Sequence, residues 1–283
     1  MKMPGIILIP ARILHQIFIK TIDSYRILPL FFQNSKAKHP SIKGNTMERQ
    51  DPFRFNYNFQ FEDDYSKNYQ IVLDPKTLSL ITDRYRHNPQ DWTRLDYKQC
   101  SNCPLAIDSH PFCPIALNIM ELVETFKDVL SYHNCTVVCE TEDRTYSKNT
   151  SIMEGLSAIF GVIMATSDCP VMNFLKPMAR FHLPFSTVEE TTARTASLYL
   201  LGQYFRYKDQ PDIKIDVKPL ENHYAQVKLV NEGIIKRIST VSNRDADKNA
   251  IVTLHSLSLF LSMEIDYSLS SLEYIFTVPY IKE

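Results

Sequence analysis

From Phe53 onward aromatic and polar positions alternate: Phe53, Phe55, Tyr57, Phe59 and Phe61 occupy every second place. A period of two sets them on one face of a β-strand. Glu62-Asp63-Asp64 is a turn signal, and Tyr69, Ile71 and Leu73 resume the alternation, so the segment predicts a β-hairpin. A second hairpin follows, with Cys135, Val137 and Cys139 on one strand face, a turn at Glu142-Asp143 and a return from Arg144 to Thr150. Together the hairpins can form one four-stranded antiparallel sheet.

Elsewhere the period lengthens to that of a helix. Pro114 suits a first helical position, and Ile115, Ile119, Leu122, Val123, Phe126 and Leu130 follow it as one stripe. Ser151 with Glu154 and Thr187 with Glu190 read as capping boxes, the first ahead of a helix to Ala165 and the second ahead of one ending near Phe205. Asp216 is placed to cap a long helix in which Leu220, Tyr224, Val227, Ile234 and Ile238 share a face, and a last helix is predicted over Ala246–Met263. Two early hairpins ahead of a mainly helical C-terminal half predict an α+β class, with the antiparallel sheet packed against helices.

The first 46 residues depart from this patterning: seven basic residues stand against one acid, whereas the remainder has 24 basic and 31 acidic residues. Residues 1–46 therefore read as a basic, poorly ordered extension, with Met47 a candidate for the native start, and residues 47–283 as a single globular α+β domain. Pro10, Arg12 and Lys20 interrupt the apolar run that a secretion signal would need. The basic N-terminus offers a contact to an anionic surface, while the acidic body argues against nucleic acid as a partner of the main domain. The longest uncharged run, Asn249–Met263, is 15 residues. That is short of the roughly 18–20 that cross a bilayer, so no membrane span is expected and a cytoplasmic location is. None of the six glycines falls in a GxGxxG or GxxxxGK pattern, which sets aside nucleotide enzymes of those two types.

Chemistry concentrates first between residues 100 and 113. Cys100, Cys103, His110 and Cys113 lie in fourteen residues as CxxC followed by HxxC. Ligands two residues apart can reach one ion from a single tight turn, and three thiolates with an imidazole suit tetrahedral zinc. Four protein ligands leave no open position, so the expected zinc is structural, in a metal-stabilised binding or regulatory protein. Cys169 is the alternative fourth ligand. Cys135 and Cys139 read as core residues.

The second concentration is Cys169-Pro170, then His182, Glu189, Glu190 and Arg194. A cysteine at a helix N-terminus can be an activated nucleophile, with His182 as its base and Glu189 or Glu190 to orient it, as in a hydrolase-like or transferase-like site. The competing reading makes Arg180, His182, Glu189, Glu190 and Arg194 a polar network that caps a helix and pairs charges around a bend.

The words CxxCPL…HPxCP, MATSDCPVM, PMARFHLPF, EETxxR and YLLGQYF, in this order, resemble an uncharacterised family of bacterial proteins, a domain of unknown function. The resemblance runs over roughly Phe53 to Leu254 and places Cys100, Cys103, His110 and Cys113 in that family's cysteine-rich segment. It implies a bacterial cytosolic protein and supplies no activity, substrate or partner.

Overall fold

A computed structural model describes residues 51–277 apart from 62–64, 83–87, 211, 213 and 264. The basic segment 1–46, Met47 and the turn at 62–64 lie outside the described residues. Strand β1 (Phe53–Gln60) pairs antiparallel with β2 (Ser66–Leu73), Phe53 opposite Leu73 and Gln60 opposite Ser66. On its other side β1 meets β3 (Asn134–Glu140), Tyr57 opposite Cys139, and β3 pairs antiparallel with β4 (Thr145–Ser151). The sheet order β2-β1-β3-β4 joins the two predicted hairpins through their first strands.

The alternation decides which face is buried. Phe55, Tyr57, Phe59, Ile71, Leu73, Cys135, Val137 and Cys139 all point into the core. On the opposite face Gln70 Nε2 donates to Asn56 Oδ1 at 2.8 Å, and Asn58 Nδ2 to Asn68 Oδ1 at 2.5 Å. A slip of one residue would turn the aromatics to water and these amides into the core, so the register is strongly specified.

Among the described residues the helices are α1 (Pro114–Phe126), α2 (Ile152–Ala165), α3 (Lys176–Arg180), α4 (Val188–Asp209), α5 (Pro219–Ile238), α6 (Ala246–Met263), α7 (Ile265–Ser270) and α8 (Glu273–Phe276). Helix α1 places Phe126 against Phe59, ring centroids 5.0 Å apart. The backbone of α2 rests on the sheet at Gly155, where a Cβ would come within 2.6 Å of Phe59 and 2.8 Å of Val137. From the far side of α2, α6 packs along it and also along α5. The core therefore runs in layers: sheet, then α1 and α2, then α5 and α6.

The Thr187–Glu190 capping box forms as expected: Glu190 N donates to Thr187 Oγ1 at 3.1 Å, and Thr187 N to Glu190 Oε2 at 2.8 Å. Helix α5 differs from expectation, starting at Pro219 rather than after a cap at Asp216. Asp216 is held outside the helix by Gln203, whose amide brackets its backbone N–H and C=O at 2.7 Å each. Pro219, with no N–H to satisfy and a preset φ, then takes the first turn. Among the described residues no single helix is long and apolar enough to cross a membrane.

Candidate functional site

The cysteine-rich loop is closed by a short clasp. Leu95 N donates to Pro111 O at 2.9 Å and Cys113 N to Thr93 O at 2.8 Å, which brings the two ends of the loop together just ahead of α1. The first part of the loop then runs along one face of α5. Asn102 Nδ2 donates to Gln226 O at 3.0 Å, Cys100 packs on Gly233, Lys98 Nζ reaches Lys236 O at 3.2 Å, and Tyr97 OH reaches Thr240 Oγ1 at 3.0 Å. Arg237 sits beneath the clasp, 1% exposed. Its Nη1 donates to Trp92 O at 2.8 Å and Arg94 O at 2.6 Å, and its Nη2 to Leu95 O at 2.9 Å.

Cys100, Cys103, Cys113 and Cys169 come from three separated segments, and Cys100 and Cys113 each lie within electrostatic reach of the other three. Burial pushes the Cys100 thiol up to about 11, with the neighbouring Cys113 and Cys103 adding to the rise and Arg237 opposing it. Burial likewise raises Cys169 to about 12, helped by Cys113 and Cys100 and opposed by the N–H groups of Val171 and Met172. Cys113 is raised by burial against the pull of Arg237 and of the N–H groups of Ala116 and Ile115, at the open end of α1. His110 stands apart: it is exposed, and its Nδ1 meets Ser109 Oγ at 2.9 Å. Among the described residues no three His, Cys, Asp or Glu side chains are gathered closely enough to hold a metal ion.

Cys169 and His182 face different neighbours. Cys169 is buried at the start of a 3-10 turn over Pro170–Leu175 and looks toward Cys113 and Cys100. His182 Nε2 pairs with the Tyr57 hydroxyl, and its ring sits edge-on to Phe55 at 5.5 Å. Burial, then the nearby Arg194 charge, lowers the His182 pKa to about 3, which keeps the imidazole neutral at neutral pH. Glu190 is taken up in its capping box and Glu189 is exposed. Of the charge network read in the sequence, the structure joins Arg194 to His182 and to Glu190 electrostatically, while Arg180 stacks on the Phe53 ring at 3.7 Å.

His182 and Arg194 instead line two adjoining cavities. The larger is a cleft of about 900 Å³ walled by α2, α6 and the segment from Met172 to Arg194, with Val162, Met164, Met178, Leu254 and Leu257 among its apolar surfaces. The smaller, about 240 Å³, is lined by Arg54, Arg144, Arg180 and Arg194 together with Glu142 and Asp143. Arg194 Nη2 donates to Met178 O at 3.2 Å and Phe181 O at 2.5 Å, fixing the bend between α3 and α4. In the cleft wall Asn231 Nδ2 donates to Ser258 Oγ at 3.1 Å, and the Ser258 hydroxyl in turn donates to Leu254 O at 2.8 Å. That orientation leaves Asn231 Oδ1, on a residue 1% exposed, as a buried acceptor with no partner. Of the residues singled out in the sequence, His182 and Arg194 line this cleft, and its further sequence signal is Asn231 and Ser258 set among the apolar positions of two helices.

Fold and cavities together define an α+β protein with an apolar cleft that adjoins an arginine-lined recess. The chain belongs to a family described as a domain of unknown function (DUF6901), whose model matches residues 55–277 and so extends past Leu254 through α7 and α8. No curated protein and no solved structure matches the chain.

Proposed function

We propose that this protein binds a small amphiphile, an apolar body carrying an anionic group, with the body in the large cleft and the anionic end toward Arg194. The observation that carries this reading is the cleft itself. Its volume of about 900 Å³ is that of a small-molecule site, typically about 300–1,000 Å³ with apolar walls and a few convergent polar groups. The polar groups stand at defined places. Arg194 lies at the junction with a recess holding four arginines against two carboxylates, and Asn231 Oδ1 offers an acceptor to a ligand hydroxyl or amide. A buried acceptor without a partner costs about 1–3 kcal/mol, which a donating ligand recovers on binding.

Binding is favoured over catalysis by Cys169 because the thiol and the imidazole have different partners. A thiol raised to about 12 carries almost no thiolate at neutral pH, and an imidazole pressed to about 3 is a weak base.

A fluorescent long-chain carboxylate such as cis-parinarate tests the reading by titration against the full chain. Saturable binding to one site is expected, lost when the cleft is filled by Ala158→Phe and weakened by Arg194→Gln. Binding that persists undiminished in folded Ala158→Phe protein would sink the assignment to this cleft.

A further inference from the structure

We infer that Cys100, Cys103, Cys113 and Cys169 form a thiolate centre for a thiophilic metal, with Arg237 as its buried countercharge and His110 outside it. The ligand set departs from local spacing. His110 points to solvent and is engaged with Ser109, whereas Cys169, distant in sequence, is drawn to the group by the 3-10 turn that it opens.

Three features support the centre independently of the cleft. The first is placement. Cys103 N donates to Cys100 O at 3.1 Å in a tight turn, and Cys113 and Cys169 each immediately precede a proline that starts a helical turn. Such positions direct backbone N–H groups at a sulfur, and N–H dipoles favour the thiolate that a metal requires. The second is close approach: Cys100 Sγ stands 2.4 Å from where a Cβ on residue 233 would lie, so only glycine lets this thiol reach its place on α5.

The third feature is charge. Arg237 is almost fully buried and its hydrogen bonds go only to carbonyl oxygens, while its Nε has no partner. A buried cation calls for an anion, and among the groups that feel its charge are the Asp96 carboxylate, outside the clasp, and the thiols of Cys100 and Cys113. Four thiolates around a divalent ion, or around an iron–sulfur core, carry a net negative charge that Arg237 would offset. Cys100 and Cys113 are each within electrostatic reach of the other three sulfurs, but the four are not gathered around one ion. Loading would therefore either draw them together or set more than one metal atom between them. In either case each ligand releases its proton, as a thiol must when it coordinates.

The test is anaerobic purification of the full chain, followed by zinc, iron and acid-labile sulfide analysis. Metal-free protein is then titrated with Co²⁺ and read by its thiolate-to-cobalt absorption. About one centre per chain is expected, abolished in Cys100→Ser and Cys169→Ser and retained in His110→Ala and in Cys135→Ser, whose sulfur lies on β3. Zinc alone would mark a mononuclear site, and iron with sulfide a cluster. If Cys169→Ser kept full metal content while His110→Ala lost it, the ligand set would be overturned. Wild-type protein that holds no metal and gives no cobalt absorption would overturn the centre altogether. The two control variants separate loss of a ligand from loss of fold, since each also removes a cysteine or histidine.

Discussion

Two arginines perform the same backbone chemistry at opposite ends of the helical layer and differ in what surrounds them. Arg237, near the end of α5, gathers the carbonyls of Trp92, Arg94 and Leu95. Arg194, on the second turn of α4, gathers those of Met178 and Phe181. In both places the chain reverses and leaves carbonyl oxygens without a regular partner, and a planar guanidinium collects several at once. Arg237 is packed on all sides, whereas Arg194 is half-buried and lines both cavities. The first arginine holds a loop from within the packed interior. The second holds a bend and also presents charge to open space, which is why the ligand site is read beside it.

The largest expected difference follows from removing each side chain. Arg237→Met leaves the Trp92 and Leu95 carbonyls unpaired in a buried place, Arg94 O keeping the Tyr97 N–H at 3.3 Å, and a loss of about 3–5 kcal/mol is expected in urea unfolding. Arg194→Met strips two carbonyls that lie nearer water, so the expected loss is about 1–2 kcal/mol, with the larger consequence in binding of an anionic amphiphile. Equal destabilisation by the two variants would erase the contrast between an arginine packed inside the fold and one that faces a cavity.

Much of the frame was legible in the sequence because it rests on local periods. Phe53 to Phe59 and Cys135 to Cys139 face inward as alternation requires, and the Thr187–Glu190 box is a contact three residues apart. The sites were less legible because their contacts are long-range. Tyr57 meets His182 across 125 residues, and Arg237 meets Trp92 across 145. The HxxC spacing placed His110 near Cys113 in the chain, but spacing does not fix which way an imidazole turns. A further signal lies on the apolar stripe of α5, where a glycine and an arginine, Gly233 and Arg237, stand beside Ile234 and Ile238. Glycine inside a helix costs about 1 kcal/mol relative to alanine, so its presence hints at a close neighbour.

The two regions also differ in how they respond to pH. Beside Arg194, the folded His182 titrates near 3 while the unfolded side chain takes up a proton below 6.5, so stability is lost as pH falls through that window. At pH 5 this amounts to on the order of 1–2 kcal/mol. Ten residues along the chain from Arg237, Asp247 at the start of α6 accepts a hydrogen bond from Ser242 at 3.0 Å, and its Oδ1 has no partner. Burial raises its pKa from 3.8 to about 7, against the pull of Ser242, Lys67 and Lys248. Here the folded state holds the proton longer, so stability is lost as pH rises from about 4 to about 7, by on the order of 3 kcal/mol. The two slopes oppose each other between pH 4 and 6.5. Asp247→Asn should leave stability rising with pH in that interval, and His182→Gln should leave it falling. Chemical denaturation of both variants at pH 4.5 and 6.5 checks the signs, and a common slope would remove one of the two groups as its source.

The smallest effects come from the glycines that the two helices carry. In α5 a Cβ on Gly233 would lie 2.4 Å from Cys100 Sγ and 3.3 Å from its Cβ, whereas in α4 a Cβ on Gly202 would meet nothing within 4 Å. Gly233→Ala therefore pushes the cysteine loop off its helix, and overpacking of this kind costs about 1–3 kcal/mol. Gly202→Ala adds helix propensity without contact and should stabilise by up to about 1 kcal/mol. Because the strain at residue 233 is directed at one sulfur, Cys100→Ala should relieve part of it in the double variant, while the same substitution beside Gly202→Ala should simply add. Additive behaviour in both pairs would mean that Cys100 is not seated on Gly233 in solution. The contact that orders the cysteine loop along α5 would then have to be sought at Asn102 and Gln226 instead.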